Sequence, residues 1–246
     1  VAALSFLVWD VLITLDQEVD AIWSRTNTSY SKWLFFFVRY FAVAMQISLL
    51  FVGTELSIGF HYTDSDCVKW YIYQEVGTQL LIAAVESVLI VRVHALYDRN
   101  LSVTVPLVVL FVLENISMIV TLVIVIPGVH FDATCTVIRS PPTLLIFAAA
   151  FVLFETVLFV LTLIKFLVAL RGGWGRTPVV FLLVRDGTWA FILIFVTLCI
   201  NAGFYIGEGN SAISAIAFPW LLSIESFAGA RVVLNLHAIS SDPSSD

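Results

Sequence analysis

The stretch Leu101–Ile126, LSVTVPLVVLFVLENISMIVTLVIVI, decides the fold: 26 residues contain one charge, Glu114. A membrane-crossing helix needs about 20 mostly apolar residues, whereas a transmembrane strand needs about ten with alternating polarity. This run is long and does not alternate, so it reads as a membrane helix. Six further runs read the same way, at roughly 1–15 (reaching Trp23 at the furthest), 33–54, 70–97, 143–168, 179–204 and 212–237. The breakers fall between them, at Pro127-Gly128, Pro141-Pro142, Gly172-Gly173, Pro178, Gly207 and Gly209. The expectation is an all-α, seven-transmembrane-helix bundle forming one integral membrane domain over 1–246, with a polar tail at 240–246. The first span starts at Val1 without an initiator Met, which suggests a trimmed N-terminus. No cleavable signal peptide is expected, and the first span serves as signal anchor.

Composition agrees. Hydrophobic residues make up 60% of the chain, charged residues 12%, and mean hydropathy is +1.01. Soluble domains carry about a quarter charged residues. This excludes a soluble enzyme, a disordered protein and a disulfide-stapled secreted module. A net charge of −6 leaves no basic surface for phosphates, so nucleic acid is not a partner. The first partner is the lipid bilayer, and the expected location is the plasma membrane or another secretory-pathway membrane.

Lys and Arg stay on the cytoplasmic side of membrane proteins. With seven spans, one face receives Arg25, Lys32, Arg92, Arg99, Lys165, Arg171, Arg176 and Arg231. Arg39 and Arg185 lie about two turns inside that same face, within reach of it by snorkelling. The other face has Lys69 and Arg139. Ten against two puts the N-terminus outside and the C-terminus in the cytoplasm. Cys67 and Cys135 then share the outer, oxidising side, where they form either a bridge or two free loop thiols; the bridge is favoured. Cys199 reads as a small core residue. The sequons at Asn27 and Asn100 face the cytoplasm and the one at Asn115 is intrahelical, so none is expected to carry a glycan.

An ionisable group at membrane depth is costly and usually marks function. Glu86, Glu114, Glu155 and Glu225 lie near mid-span on four helices, Asp10 joins them on the first, and no cation is expected at their depth. An unpaired buried carboxylate takes up a proton and can then donate to a neighbouring helix. For Glu114 and Glu155 that packing role is favoured. Glu75, Gln79 and Glu86 fall within about 40° on one stripe of the third span, and Tyr97 continues it. On the seventh, Pro219 precedes Glu225, while Ser226, Gly229 and Ala230 form a close-packing patch. A ligand pocket lined by Glu75, Gln79, Glu86 and Glu225 is one reading, and a glutamate pair sharing a proton as packing glue is the other. At the inner rim, Arg92, Tyr97 and Arg99 end the third span, and Arg185-Asp186 opens the sixth. They are either interfacial anchors, the favoured reading, or an ionic latch.

The chemistry narrows by elimination. The seventh span has no Lys for a retinal Schiff base. His61 and His130 lie outside, and His94 and His237 inside, so three clustered zinc ligands are unavailable and no metal or cofactor is expected. Phosphate loops, nucleophile elbows and H-E-x-x-H are missing, and no inverted repeat suggests a transporter.

The opening Trp9-Asp10-Val11-Leu12-Ile13-Thr14-Leu15-Asp16-Gln17-Glu18-Val19-Asp20-Ala21-Ile22-Trp23, followed by Lys32 and Arg39-Tyr40, resembles the signature of a fungal membrane-protein family of unknown function (domain 6533), in about 1–45. The resemblance continues in Arg92-Val93-His94-Ala95-Leu96-Tyr97, Arg185-Asp186-Gly187 and Leu234-Asn235-Leu236. It implies a fungal integral membrane protein of about seven helices and brings no activity with it. The outline also resembles a G-protein-coupled receptor: seven spans, an outer N-terminus, and a Cys before the third span paired with one in the following outer loop. The departures are His94-Ala95-Leu96-Tyr97-Asp98-Arg99 in place of Asp-Arg-Tyr, a seventh span without Asn-Pro-x-x-Tyr, and short cytoplasmic loops. Fold-level likeness is a weak warrant for function. The leading expectation is a receptor-like protein binding a small lipophilic ligand without catalysis and passing a signal to a cytoplasmic partner. The alternatives are an intramembrane cyclase or isomerase using protonated glutamates as general acids, or a proton-linked carrier.

Overall fold

The computed structural model describes residues 1–23, 30–50, 62–132, 135, 137–139, 143–171, 189, 192–197, 199–200, 203 and 211–240. Helices α1 (Ala2–Glu18), α2 (Tyr30–Leu49), α3 (Asp64–Leu96), α4 (Leu101–Val125), α5 (Leu144–Arg171) and α6 (Ser211–Ser240) make up most of it. A π-helical turn, Val19–Trp23, prolongs α1, and another, Phe37–Phe41, lies within α2. Five stretches among the described residues are long and apolar enough to cross a membrane: Tyr30–Leu49, Asp64–Leu96, Leu101–Gly128, Ala149–Val168 and Ala217–Leu234. These correspond to the second to fifth and the seventh sequence-predicted spans. The predicted sixth, 179–204, lies mostly outside the described residues.

Boundaries moved where local chemistry outweighed hydropathy. α3 begins six residues before the expected 70 because Thr63 and Asp66 cap it: the Thr63 hydroxyl donates to Asp66 Oδ2 at 2.7 Å and its backbone N–H at 3.3 Å. α4 starts where expected, after Asn100, whose side-chain oxygen accepts from Ser102 N at 2.9 Å. Between α3 and α4, Asp98 and Arg99 sit at φ 53° and 59°, making the reversal tight.

The helices are apolar outside and partly polar inside. α1 buries Ala3, Leu7, Asp10, Thr14 and Glu18 on one stripe and exposes Trp9, Leu12 and Ile13. That inversion suits lipid as solvent. α3 and α6 form the central pair, with α1 and α2 on one flank and α4 and α5 on the other. Their positions show in burial: 67% of the α3 span is buried, against 22% of the α4 span, which presents Val109, Leu113, Val120 and Val123 outward. Gly229 lets α6 close on α2 and α3, since a Cβ there would stand 3.0 Å from Val38 Cγ1 and 3.1 Å from Val85 Cγ2.

After α4 and a 3-10 turn (Ile126–Gly128), β1 (His130–Phe131) pairs antiparallel with β2 (Val137–Arg139). Cys135, between the strands, is joined to Cys67 in α3, with Cα atoms 4.9 Å apart. Both cysteines are buried, so the bridge lies inside a contact rather than in exposed loops. Tyr71, Val125 and Val129 form a small apolar cluster with Phe131 and Val137 beneath the ribbon.

Candidate functional site

Two polar centres occupy the interior, one on each flank of α6. The first is built by α1, α2 and α6. Asp10, Thr14 and Glu18 recur every fourth residue, so one stripe of α1 turns two carboxylates and a hydroxyl inward. Facing them, the π-helical turn of α2 carries Arg39 and Tyr40; a π turn inserts an extra residue and re-aims its side chains. Arg39 donates to Asp10 Oδ2 at 2.8 Å and to the Asp10 carbonyl at 3.0 Å, and it also contacts Thr14 Oγ1 and Glu18 Oε1. Tyr40 donates to Glu18 Oε2 at 3.0 Å. Arg231 of α6 donates to Asp10 Oδ1 at 2.8 Å. Two guanidinium groups thus face two carboxyl groups.

This corrects two expectations. Asp10 was read as a membrane carboxylate with no cation at its depth, yet it receives two. Arg39 was expected to snorkel toward the cytoplasm, yet it is 2% exposed and turned inward. Snorkelling lost because a paired network costs less than a long side chain leaving two carboxylates unpaired. The i, i+4, i+8 spacing of Asp10, Thr14 and Glu18 was the available signal.

The second centre lies between α3, α4, α5 and α6. Each contributes one glutamate (Glu86, Glu114, Glu155 and Glu225), and all four are at most 5% exposed. The Glu86 and Glu114 carboxyl groups adjoin, and Glu155 and Glu225 lie within electrostatic reach of Glu86. Among the described residues, both side-chain oxygens of Glu86, Glu114 and Glu155, and Oε1 of Glu225, are buried without an N–H or hydroxyl donor. The helices carrying Glu86 and Glu225 pack directly on one another. Glu114 and Glu155, read from sequence as separate packing groups, enter the same cluster. Among the described residues, no three His, Cys, Asp or Glu side chains could hold a metal ion together.

The other predicted lining residues go elsewhere. Gln79 donates to Asn115 Oδ1 of α4 at 2.9 Å, and Glu75, half-buried, accepts from Tyr71. Pro219 is clamped: Gln46 donates to its carbonyl and to Ser223 Oγ at 2.9 Å. The Ser223 hydroxyl stands 3.0 Å from the same carbonyl and 3.1 Å from Ala3 O.

At the inner rim, the Tyr97 hydroxyl donates to Leu161 O at 3.0 Å, and Lys165 lies 4.7 Å from the Tyr97 ring centroid and 3.8 Å from Asp98. Burial pushes the Tyr97 hydroxyl up. These contacts join α3 to α5. Arg99 is exposed, whereas the Arg92 side chain is buried at 4% exposure. Arg185 and Asp186 lie outside the described residues.

Residues 1–44 match the sequence model of a family of unknown function (DUF6533). That segment supplies Asp10, Thr14, Glu18, Arg39 and Tyr40, five of the six residues in the first centre. No curated protein and no solved structure matched the chain.

Proposed function

We propose that this is a seven-span, receptor-like membrane protein that binds a small lipophilic ligand at the carboxyl cluster between α3 and α6, without chemistry on it. Its N-terminus lies outside and its C-terminus in the cytoplasm. Support for seven spans comes from the five apolar stretches, the lipid-suited outer face of α1 and the apolar run at 179–204. Support for the orientation comes from the ten-to-two distribution of Lys and Arg.

The ligand reading rests on one observation: four buried glutamates from four helices converge, and among the described residues the oxygens named above meet no N–H or hydroxyl donor. Like charges at that depth cannot all persist, so the cluster shares protons or accepts a donor from a guest. A lipophilic amine or alcohol supplies both the donor and the apolar body the surrounding helices favour. The direct approach of Glu86 to Glu114 favours a second reading, proton-linked transport, in which the cluster itself is the proton-binding element.

The test is a thermal-shift screen of the purified protein in lipid nanodiscs with a panel of lipophilic primary amines and alcohols. A stabilising compound recovered unmodified, and no longer stabilising in Glu86→Gln and Glu225→Gln proteins that still fold, supports the receptor-like reading. An equal shift in both variants overturns the assigned site. No shift, with proton uptake into proteoliposomes that Glu86→Gln abolishes, replaces it with the carrier reading.

A further inference from the structure

The two arginines that meet at Asp10 are held unequally. Arg39 touches Asp10 twice, Thr14 and Glu18, lies 5.8 Å from the Phe35 ring centroid, and its side chain is 2% exposed. Among the described residues, Arg231 has one ionic contact, to Asp10 Oδ1, and it stacks on Phe227 of its own helix with 5.3 Å to the ring centroid. Its side chain is 35% exposed, and its Nε is buried without a partner among the described residues. Removing Arg39 would strip the counter-charge from two buried carboxylates. Withdrawing Arg231 leaves Asp10 still paired with Arg39, and the Arg231 side chain is already partly exposed.

The backbone of α6 fits the same asymmetry. Pro219 interrupts its hydrogen-bond ladder, and Gln46 and Ser223 hold the Pro219 carbonyl, fixing one end. Inward of that clamp, the small residues Ala228, Gly229 and Ala230 are followed by Val232, Val233 and Leu234, which are buried in the core, and Gly229 lies against Val38 of α2 and Val85 of α3. Glu225 and Arg231 are six residues apart, about 9 Å along the axis and about 120° around it, so one helix contacts both polar centres.

We propose that the inner half of α6 is a releasable arm: Arg231 latches it to Asp10 of α1, and Arg39 keeps α1 and α2 joined when the latch opens. Release moves the helix that carries Glu225 and so changes the wall of the carboxyl cluster. The latch does not depend on what that cluster binds.

Hydrogen–deuterium exchange of the full chain in nanodiscs tests this. Arg231→Gln should speed exchange in 228–240 about tenfold while 1–23 and 30–49 stay at wild-type rates, and Arg231→Lys should restore most of the protection. Arg39→Gln should loosen all three segments together. Unchanged exchange in 228–240 with Arg231→Gln, or equal loosening of α1, α2 and α6, overturns the proposal. A measurement on the unaltered protein covers failure of the variant to fold: the side-chain N–H protons of Arg231 should exchange with water at least about tenfold faster than those of Arg39. Equally slow exchange of the two would show that the arm is not releasable.

Discussion

Arg231 and Asp10, 221 residues apart in sequence, are joined by a 2.8 Å contact from Nη2 to Oδ1. The other oxygen of the same carboxylate receives Arg39, also at 2.8 Å. The segment resembling the family of unknown function is therefore a charge-paired α1–α2 hairpin whose network a distant helix completes. Such a hairpin holds its charges in an apolar surround because each oxygen finds a donor, and α6 is recruited to it by charge as well as by fit.

Arg39→Met should be among the most destabilising substitutions in the chain. It leaves Glu18 without its arginine and Asp10 with only the partly exposed Arg231, and loss of one partner from such a pair costs about 3–5 kcal/mol. Adding Glu18→Gln should recover part of that loss, because one orphaned charge disappears. Thermal unfolding in nanodiscs reads both effects. Loss below about 1 kcal/mol would show the network to be solvated rather than sealed.

Cys67→Ser and Cys135→Ser should destabilise equally, by up to about 4 kcal/mol for a closed loop of 68 residues. The double variant should be no worse than either single one, since each breaks the same bond. Additive losses, measured without reductant, would mean that the two thiols contribute separately.

Gly229→Ala places a methyl 3.0 Å from Val38 and 3.1 Å from Val85. Both are branched side chains in a filled core, so the expected cost is about 1–2 kcal/mol of stability. Val85→Ala in the same chain should relieve part of it. A stabilising Gly229→Ala would show that α2 and α3 can yield without loss.

The orientation can be read with a membrane-impermeant maleimide in a Cys199→Ala background. A cysteine replacing Asp98, which is 95% exposed beside α3, should react only from the cytoplasmic side. One replacing the exposed Asp64 should react only from outside. Reversal of the two patterns would invert the topology.

The membrane character and five of the helices were legible from sequence, because each depends on the composition of a contiguous run. Lipid cannot satisfy a backbone polar group, so about 20 apolar residues have essentially one conformation available. The facing of Cys67 and Cys135 was also within reach, since counting spans puts both on one side. Pairing across the interior was not. Asp10 looked unpaired because its partners come from 29 and 221 residues away, and the π turn that aims Arg39 leaves no mark in hydropathy. Sequence likewise gave four glutamates at similar depth but not their rotation about four helix axes. Which residues share a depth follows from counting along one helix, whereas which of them touch depends on how several helices turn against each other, and only the packed tertiary structure sets those angles.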